Sequence, residues 1–329
     1  MLIDPFGRPI TYLRISLTDR CNLRCAYCMP AEGLDWLPRQ EILTNDEIVQ
    51  VAQTAAALGI HKLRLTGGEP LVRPGIVELV RRMAAIPGIQ DVSLTTNGML
   101  LEKLARPLAQ AGLKRVNVSL DTLNPDRFQR ITRFGALDNV WDGLLAAEQA
   151  DLSPIKINAV IIRGFNDDEL ADLARLSLDH PCHVRFIEVM PIGNSQDWGD
   201  GFPAPQERHV SVQEMRSRLT GLDLQPTETP VGSGPARTFR IPGAAGTVGF
   251  ISPLGEHFCQ NCNRLRLTAD GKLRACLVIP GEVPVRDLLR SGQSLEACFQ
   301  QAVASKPEHH NLNISLPAAT GRGMSQIAG

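Results

Sequence analysis

Eight cysteines are spread unevenly along the chain. Three fall in "CNLRCAYC" as Cys21, Cys25 and Cys28, spaced C-x3-C-x2-C. Three more, Cys259, Cys262 and Cys276, are spaced C-x2-C-x13-C. Cys182 and Cys298 stand alone and read as small apolar core residues. Three thiols in a cluster is an odd number. A redox pair needs two, and a structural zinc site closes with four ligands. His61, the histidine nearest the first trio, lies far off in sequence. A catalytic zinc held by three cysteines and a water is one option. The other is a [4Fe–4S] cluster, whose four irons normally each take a thiolate; three would leave one iron open to a substrate or cofactor. The second trio poses the same choice: a second open cluster, or a zinc ribbon completed by His257.

The first 190 residues alternate short apolar strands with helical patterns, which is the signature of βα units on a parallel sheet. Strands are expected over 12–18, 62–67, 91–97, 115–121, 154–160 and 183–190. Buried parallel strands usually read as unbroken Val/Ile/Leu runs. These alternate instead: Leu13, Ile15 and Leu17 oppose Tyr12, Arg14, Ser16 and Thr18, and Val116, Val118 and Leu120 oppose Arg115, Asn117, Ser119 and Asp121. Crossover helices must cover the apolar face, so the polar face points inward. An ordinary eight-strand barrel fills its interior with branched apolar side chains. Six strands of this kind predict an α/β fold, a partial (β/α)6 TIM-like barrel, incomplete or splayed, around a large polar ligand. The first cysteine trio follows the first strand, at the active-site end of such a barrel.

Past residue 190 a Gly/Pro-rich loop (191–207) precedes a short helix over 210–219 and a Pro/Gly-rich stretch with short strands. "NRLRLTADGKLRAC" predicts a β-hairpin turning on Asp270-Gly271. We divide the chain into residues 1–225, the barrel, and 226–329, a region carrying the second trio. With 34 basic and 35 acidic residues the net charge is −1, which offers no bulk attraction to nucleic acid or membrane. The mean hydropathy is −0.07. The N-terminus lacks the apolar core of a signal peptide, and no apolar run is long enough to span a bilayer, so a cytoplasmic protein is expected. Only six of the basic residues are lysines. Arginine suits bidentate phosphate recognition, although biased codon usage accounts for most of the excess.

The first trio, with a strand before it, Tyr27 ahead of its last cysteine and "TGGEP" (66–70) after the next strand, resembles the signature of radical S-adenosylmethionine (SAM) enzymes. That resemblance implies a barrel of the radical SAM type, closed by the C-terminal region. It implies that the open iron binds the amino and carboxylate groups of SAM, and that one electron splits SAM to a 5′-deoxyadenosyl radical, which abstracts hydrogen from a substrate. Tyr27, Gly68, Ser119 and Met190 match SAM-contacting positions. Gly67 and Gly68 let backbone approach a ligand closely. Glu69 is placed to accept from the SAM ammonium, and Asp121, with Ser119, to bond the ribose.

Around the second trio, Arg264 and Arg266 share one strand face and Leu265 and Leu267 the other. Inward-facing arginines need anionic partners. From "LRISLTDRCNLRCAYCMP" through "HFCQNCNRLRLTADGKLRACL" to the terminus, the chain resembles the GTP-cyclising branch of these enzymes, which begins molybdenum-cofactor biosynthesis. The resemblance implies two [4Fe–4S] clusters and SAM as cofactors, the second cluster's open iron on the guanine, and GTP contacts from Arg14, Arg64, Thr95, Lys156, Arg185, Arg264 and Arg266. It implies a lyase reaction in which the ribose 3′ hydrogen is abstracted and C3′ joins guanine C8, giving 3′,8-cyclo-7,8-dihydro-GTP. The implied partners are cyclic pyranopterin monophosphate synthase downstream and an electron donor such as flavodoxin or ferredoxin, with a homodimer left open. The alternatives are another radical SAM enzyme with an auxiliary cluster, such as a peptide maturase, and a non-catalytic zinc or iron–sulfur module. One feature departs: the family ends in two glycines, whereas this chain ends Ala328-Gly329. Both a harmless change in a mobile tail and impaired catalysis fit that departure.

Overall fold

A computed structural model describes residues 1–192, 198–229, 234–313 and 320–327. Its strands are β1 (Tyr12–Ser16), β2 (Lys62–Thr66), β3 (Asp91–Thr96), β4 (Arg115–Ser119), β5 (Ile155–Ile161) and β6 (Cys182–Glu188). They are followed by β7 (Gln225–Pro226), β8 (Arg237–Arg240), β9 (Thr247–Ile251), β10 (Arg264–Leu267), β11 (Lys272–Arg274) and β12 (Val283–Pro284). All join one sheet in the order β12-β11-β10-β1-β2-β3-β4-β5-β6-β9-β8-β7.

The pairings from β1 to β6 are all parallel, as the alternating strands and helices predict. The C-terminal third then contributes to both edges. β10 lies parallel beside β1, and β9 lies parallel beside β6. Leu13, Ile15, Leu63, Leu65, Val116, Val118 and Ile157 point away from the inner face into one large apolar core, together with the covering helices. The first helix, α1 (Asn45–Ala57), shows why those helices start where they do. Thr44 caps it by accepting from the Glu47 amide, and the Glu47 carboxylate accepts from the Thr44 amide. Cys182 and Cys298 are buried in the same apolar core.

Three details differ from the expectation. The strands β1, β3 and β4 end earlier, so Thr18, Asn97 and Asp121 sit in the loops beyond them. β6 stops at Glu188, which leaves Met190 past its end. The hairpin turn has three residues, not two. Thr268 pairs with Lys272, and within Ala269-Asp270-Gly271 only Gly271 takes a positive φ, of 76°. A two-residue I′ turn would require positive φ at both central positions. Among the described residues no helix is long and apolar enough to cross a membrane.

Candidate active site

The inner faces of the strands and the loops at their C-terminal ends enclose a cavity of about 340 Å³. Both cysteine trios line it. So do Tyr27, Gly68, Ser119 and Met190, and Arg14, Arg64, Thr95, Arg185, Arg264 and Arg266. Lys156 is buried on β5, level with the lining residue Asn117 of β4 and one inward-facing position before the lining residue Asn158, but does not itself line the cavity. Ala328 and Gly329 lie outside the described residues. The chain leading to them is fixed: Ile327 is fully buried with Ile192, Val278 and Leu312, and Met324 and Ser325 line the cavity. Arg322 holds that segment by bonding Asp270 at 2.8 and 3.0 Å and Glu282 at 2.7 and 2.9 Å.

The first trio occupies the loop after β1. Cys21 Sγ accepts from the Leu23 amide at 3.3 Å and from Asn97 Nδ2 at 3.8 Å. Burial pushes the Cys25 thiol well up and Cys28 up to about 12, and the charge of Asp121 adds to both. Thiolates there require a local positive charge, which a bound metal group would supply. Beside them the Tyr27 hydroxyl donates to Asp121 Oδ2 at 2.8 Å. Burial raises Asp121 to about 6, even though its other oxygen accepts from the Val160 amide at 2.8 Å. Glu69 is likewise raised to about 7 by burial. Its carboxylate accepts from Thr96 Oγ1 at 2.7 Å and from the Asn97 and Leu71 amides at 2.8 and 3.0 Å, so it braces two loops of the cavity rim.

"TGGEP" has a second use that the sequence did not disclose. A Cβ on Gly68 would stand 2.2 Å from the Arg20 carbonyl oxygen, and one on Gly67 2.6 Å from that of Thr18. The glycines let this turn press against the segment that enters the cysteine loop.

On the inner wall, strand register places cations side by side. Arg266 of β10 is level with Arg14 of β1, which is level with Arg64 of β2. Like charges directly opposite one another are unfavourable unless something anionic joins them. Burial draws Arg14 down to about 10, with Arg64 and Arg264 adding to the effect. Burial also draws Arg185 down to about 9 and Lys156 to about 7. Arg64 Nε donates to the Tyr12 hydroxyl and Nη1 approaches Thr95 Oγ1 at 3.5 Å. Among the described residues, five residues that line the cavity each carry a buried polar atom with no hydrogen-bond partner: Thr66 Oγ1, Asn117 Oδ1, Asn158 Oδ1, Arg185 Nε and Ser325 Oγ. Buried polar atoms are rarely left so, and five in the wall of one cavity fit a site built for a polar ligand. Asn117 and Asn158 also line the cavity and are not among the site residues read from the sequence, although alternation along β4 and β5 sets Asn117 on the face of Arg115 and Asn158 on that of Lys156.

Cys259 and Cys262 of the second trio lie in the turn between Phe258 and β10, and Cys276 follows the end of β11. For Cys262, burial works to raise the thiol, but the charges of Arg264 and Lys306 prevail and draw it down to about 6. Among the described residues, the one trio of His, Cys or carboxylate donors gathered within 4.8 Å is His257, Cys259 and His310. That group mixes imidazole and thiolate donors. Each cysteine trio instead brings three free thiols to the cavity, and the two remaining cysteines, Cys182 and Cys298, are buried in the apolar core away from it. Three thiolates without a fourth are a donor set that fits a [4Fe–4S] cluster with one open iron.

A parallel sheet of βα units with a three-cysteine loop after its first strand defines a radical SAM protein, and residues 15–177 match the Radical SAM superfamily. Residues 182–312 match Molybdenum Cofactor Synthesis C. The chain belongs to the GTP 3′,8-cyclase family: it is 51% identical to the GTP 3′,8-cyclase of Pelotomaculum thermopropionicum over 99% of both chains. It is 50% identical to that of Moorella thermoacetica, again over 99% of both. Among solved structures, Streptococcus suis SuiB bound to S-adenosylmethionine shares the fold, with a TM-score of 0.61 at 14% identity, covering 93% of this chain and 77% of that one.

Proposed function

We propose that the protein cyclises GTP to 3′,8-cyclo-7,8-dihydro-GTP, the first step of molybdenum-cofactor biosynthesis, as a lyase of the radical SAM type. The observation that carries the reading is the meeting of two three-cysteine sets and an in-register arginine row in one cavity. Cys21, Cys25 and Cys28 hold the SAM-binding [4Fe–4S] cluster; Cys259, Cys262 and Cys276 hold the one that takes the substrate. When bound, cluster and SAM supply one-electron radical chemistry.

The chain's own residues position and enclose. Tyr27, Gly68, Ser119 and Met190 seat SAM at the strand ends. Arg14, Arg64, Thr95, Lys156, Arg185, Arg264 and Arg266 bind GTP, the cations taking the triphosphate from the inner wall. Pinning the triphosphate leaves the ribose between the two cysteine sets, and holding reacting atoms together is the larger part of the catalytic task. Residues 1–225 act as the barrel and 226–329 as its substrate-binding complement. The only other cysteines, Cys182 and Cys298, are buried in the apolar core and offer no fourth thiolate to the second set, which weighs against a peptide-maturing enzyme. We place the reaction in the cytoplasm, fed by a flavodoxin- or ferredoxin-like donor and drained by cyclic pyranopterin monophosphate synthase.

The test is anaerobic. With dithionite and SAM, GTP should stimulate 5′-deoxyadenosine formation and be consumed. Normal SAM cleavage that ignores GTP would refute the substrate. The assay is run beside Ala328→Gly, so that a tail effect is separated from a wrong substrate.

A further inference from the structure

Lys306 follows a second helix, α2 (Glu296–Ala304), and is only 4% exposed. An ammonium has three donors and no acceptor. All three are used: Nζ donates to the Arg264 carbonyl at 2.9 Å, the Ala275 carbonyl at 2.9 Å and Cys262 Sγ at 3.4 Å. A saturated, buried ammonium is neither a base nor a nucleophile. It is a fixed charge, one hydrogen bond from a ligand sulfur.

Its two carbonyl partners matter as much as the sulfur. Arg264 opens β10 just after Cys262, and Ala275 immediately precedes Cys276. One side chain thus ties together the limbs that carry two of the three ligands. From the opposite side, Arg8 donates to the Cys259 carbonyl at 2.7 Å and to the Pro307 and Glu308 carbonyls at 2.6 and 2.9 Å. The segment bearing Lys306 is therefore strapped to the third ligand as well.

Among the described residues, no lysine or arginine donates to a sulfur of the first trio. Its sulfur donors are the neutral Leu23 amide and Asn97, and the nearby charges are mixed, with Glu69 and Asp121 set against Arg24. Hydrogen bonds to ligand sulfurs, and local charge, set the reduction potential of an iron–sulfur cluster. A cation donating to the thiolate withdraws electron density from it and favours the reduced state.

Resting on the two-cluster reading above, we propose that Lys306 is a positioning residue of the second cluster. It fixes the Cys262 and Cys276 limbs and, by donating to Cys262 Sγ, holds that cluster at a higher reduction potential than a neutral side chain would allow.

The test is an EPR-monitored redox titration of anaerobic, cluster-loaded protein, comparing Lys306→Met and Lys306→Arg with the parent. The cluster whose signal SAM perturbs is the internal standard. In Lys306→Met the reduction equilibrium of the other cluster should move about tenfold toward the oxidised form, a fall of 59 mV for one electron. Lys306→Arg should recover most of it, and the standard should not move. A Met variant with both clusters loaded and an unmoved potential overturns the proposal. If that variant fails to load, the parent protein labelled with 15N-lysine decides. Hyperfine spectroscopy of its reduced second cluster should show coupling to one lysine nitrogen, and the lack of coupling overturns the proposal. Iron analysis separates the two readings: a parent holding zinc, or far fewer than about eight irons, counts against the clusters themselves.

Discussion

The arginine row predicts that one substitution will move stability and binding in opposite directions. Arg14 is the middle member, with Arg266 and Arg64 level with it on the neighbouring strands. Its pKa falls from the ordinary arginine range to about 10, because burial and the adjacent cations disfavour the charge. A base whose folded pKa lies below its unfolded value destabilises the fold at every pH below the folded value, and the penalty fades only as the pH rises above about 10 toward the unfolded value. At 1.36 kcal/mol per pH unit the cost is about 3 kcal/mol. The cavity is open to water, so screening reduces this to about 1.5 kcal/mol. Arg14→Met keeps the length and removes the charge. Cluster-loaded, ligand-free Arg14→Met should melt roughly 3 °C higher than the parent. A charge-assisted bond to phosphate contributes about 1.5–3 kcal/mol, so GTP affinity should fall roughly 10- to 150-fold. Calorimetry with GTP and guanosine completes the test, because guanosine lacks the phosphates and its affinity should barely change. A destabilised ligand-free variant, or equal losses for GTP and guanosine, would refute the electrostatic argument.

Three further outcomes follow from the same geometry. Gly68→Ala places a Cβ against the Arg20 backbone, with overpacking of about 1–3 kcal/mol focused on the cysteine loop; Mössbauer spectra should show loss of the first cluster with the second retained. Lys156, held near 7 by burial and by Arg185, Arg64 and Arg115, is largely neutral at pH 8, and incoming phosphates favour its charged form. GTP binding at pH 8 should therefore take up a proton, read from calorimetry in buffers of different ionisation enthalpy, and Lys156→Met should abolish the uptake. Arg322→Ala removes the bonds to Asp270 and Glu282 that secure the C-terminal segment. Carboxypeptidase should then trim the chain roughly tenfold faster, as expected for about 1.4 kcal/mol of lost local stability.

What could be read without the structure was whatever repeats at short range. A strand's two faces are written in alternate residues, so Arg14, Arg64, Asn117, Lys156 and Asn158 could be assigned inward before any fold was known. The cysteine spacings are equally local. What could not be read depends on contacts between distant segments. Nothing within "RLRL" says that it will lie parallel to β1, some 250 residues earlier, yet that pairing alone brings Arg266 level with Arg14. The strand alternation predicted cations in a chamber; the register turned them into a row.

The same limit explains Gly68 and Lys306. Two glycines in a turn imply close approach, but not to what. Here they approach the Arg20 and Thr18 carbonyls, so the turn after β2 and the cysteine loop after β1 form one packed unit. Lys306 lies in a polar stretch, "KPEHHN", where a lysine ordinarily means a solvated surface. Its burial follows from long-range geometry: α2 packs near β11 and delivers the next turn onto the carbonyls beside Cys262 and Cys276. Sites built on strand ends and cysteine loops can therefore be read from local pattern. The charges that tune them come from distant loops, and only the folded chain shows which of those loops arrive.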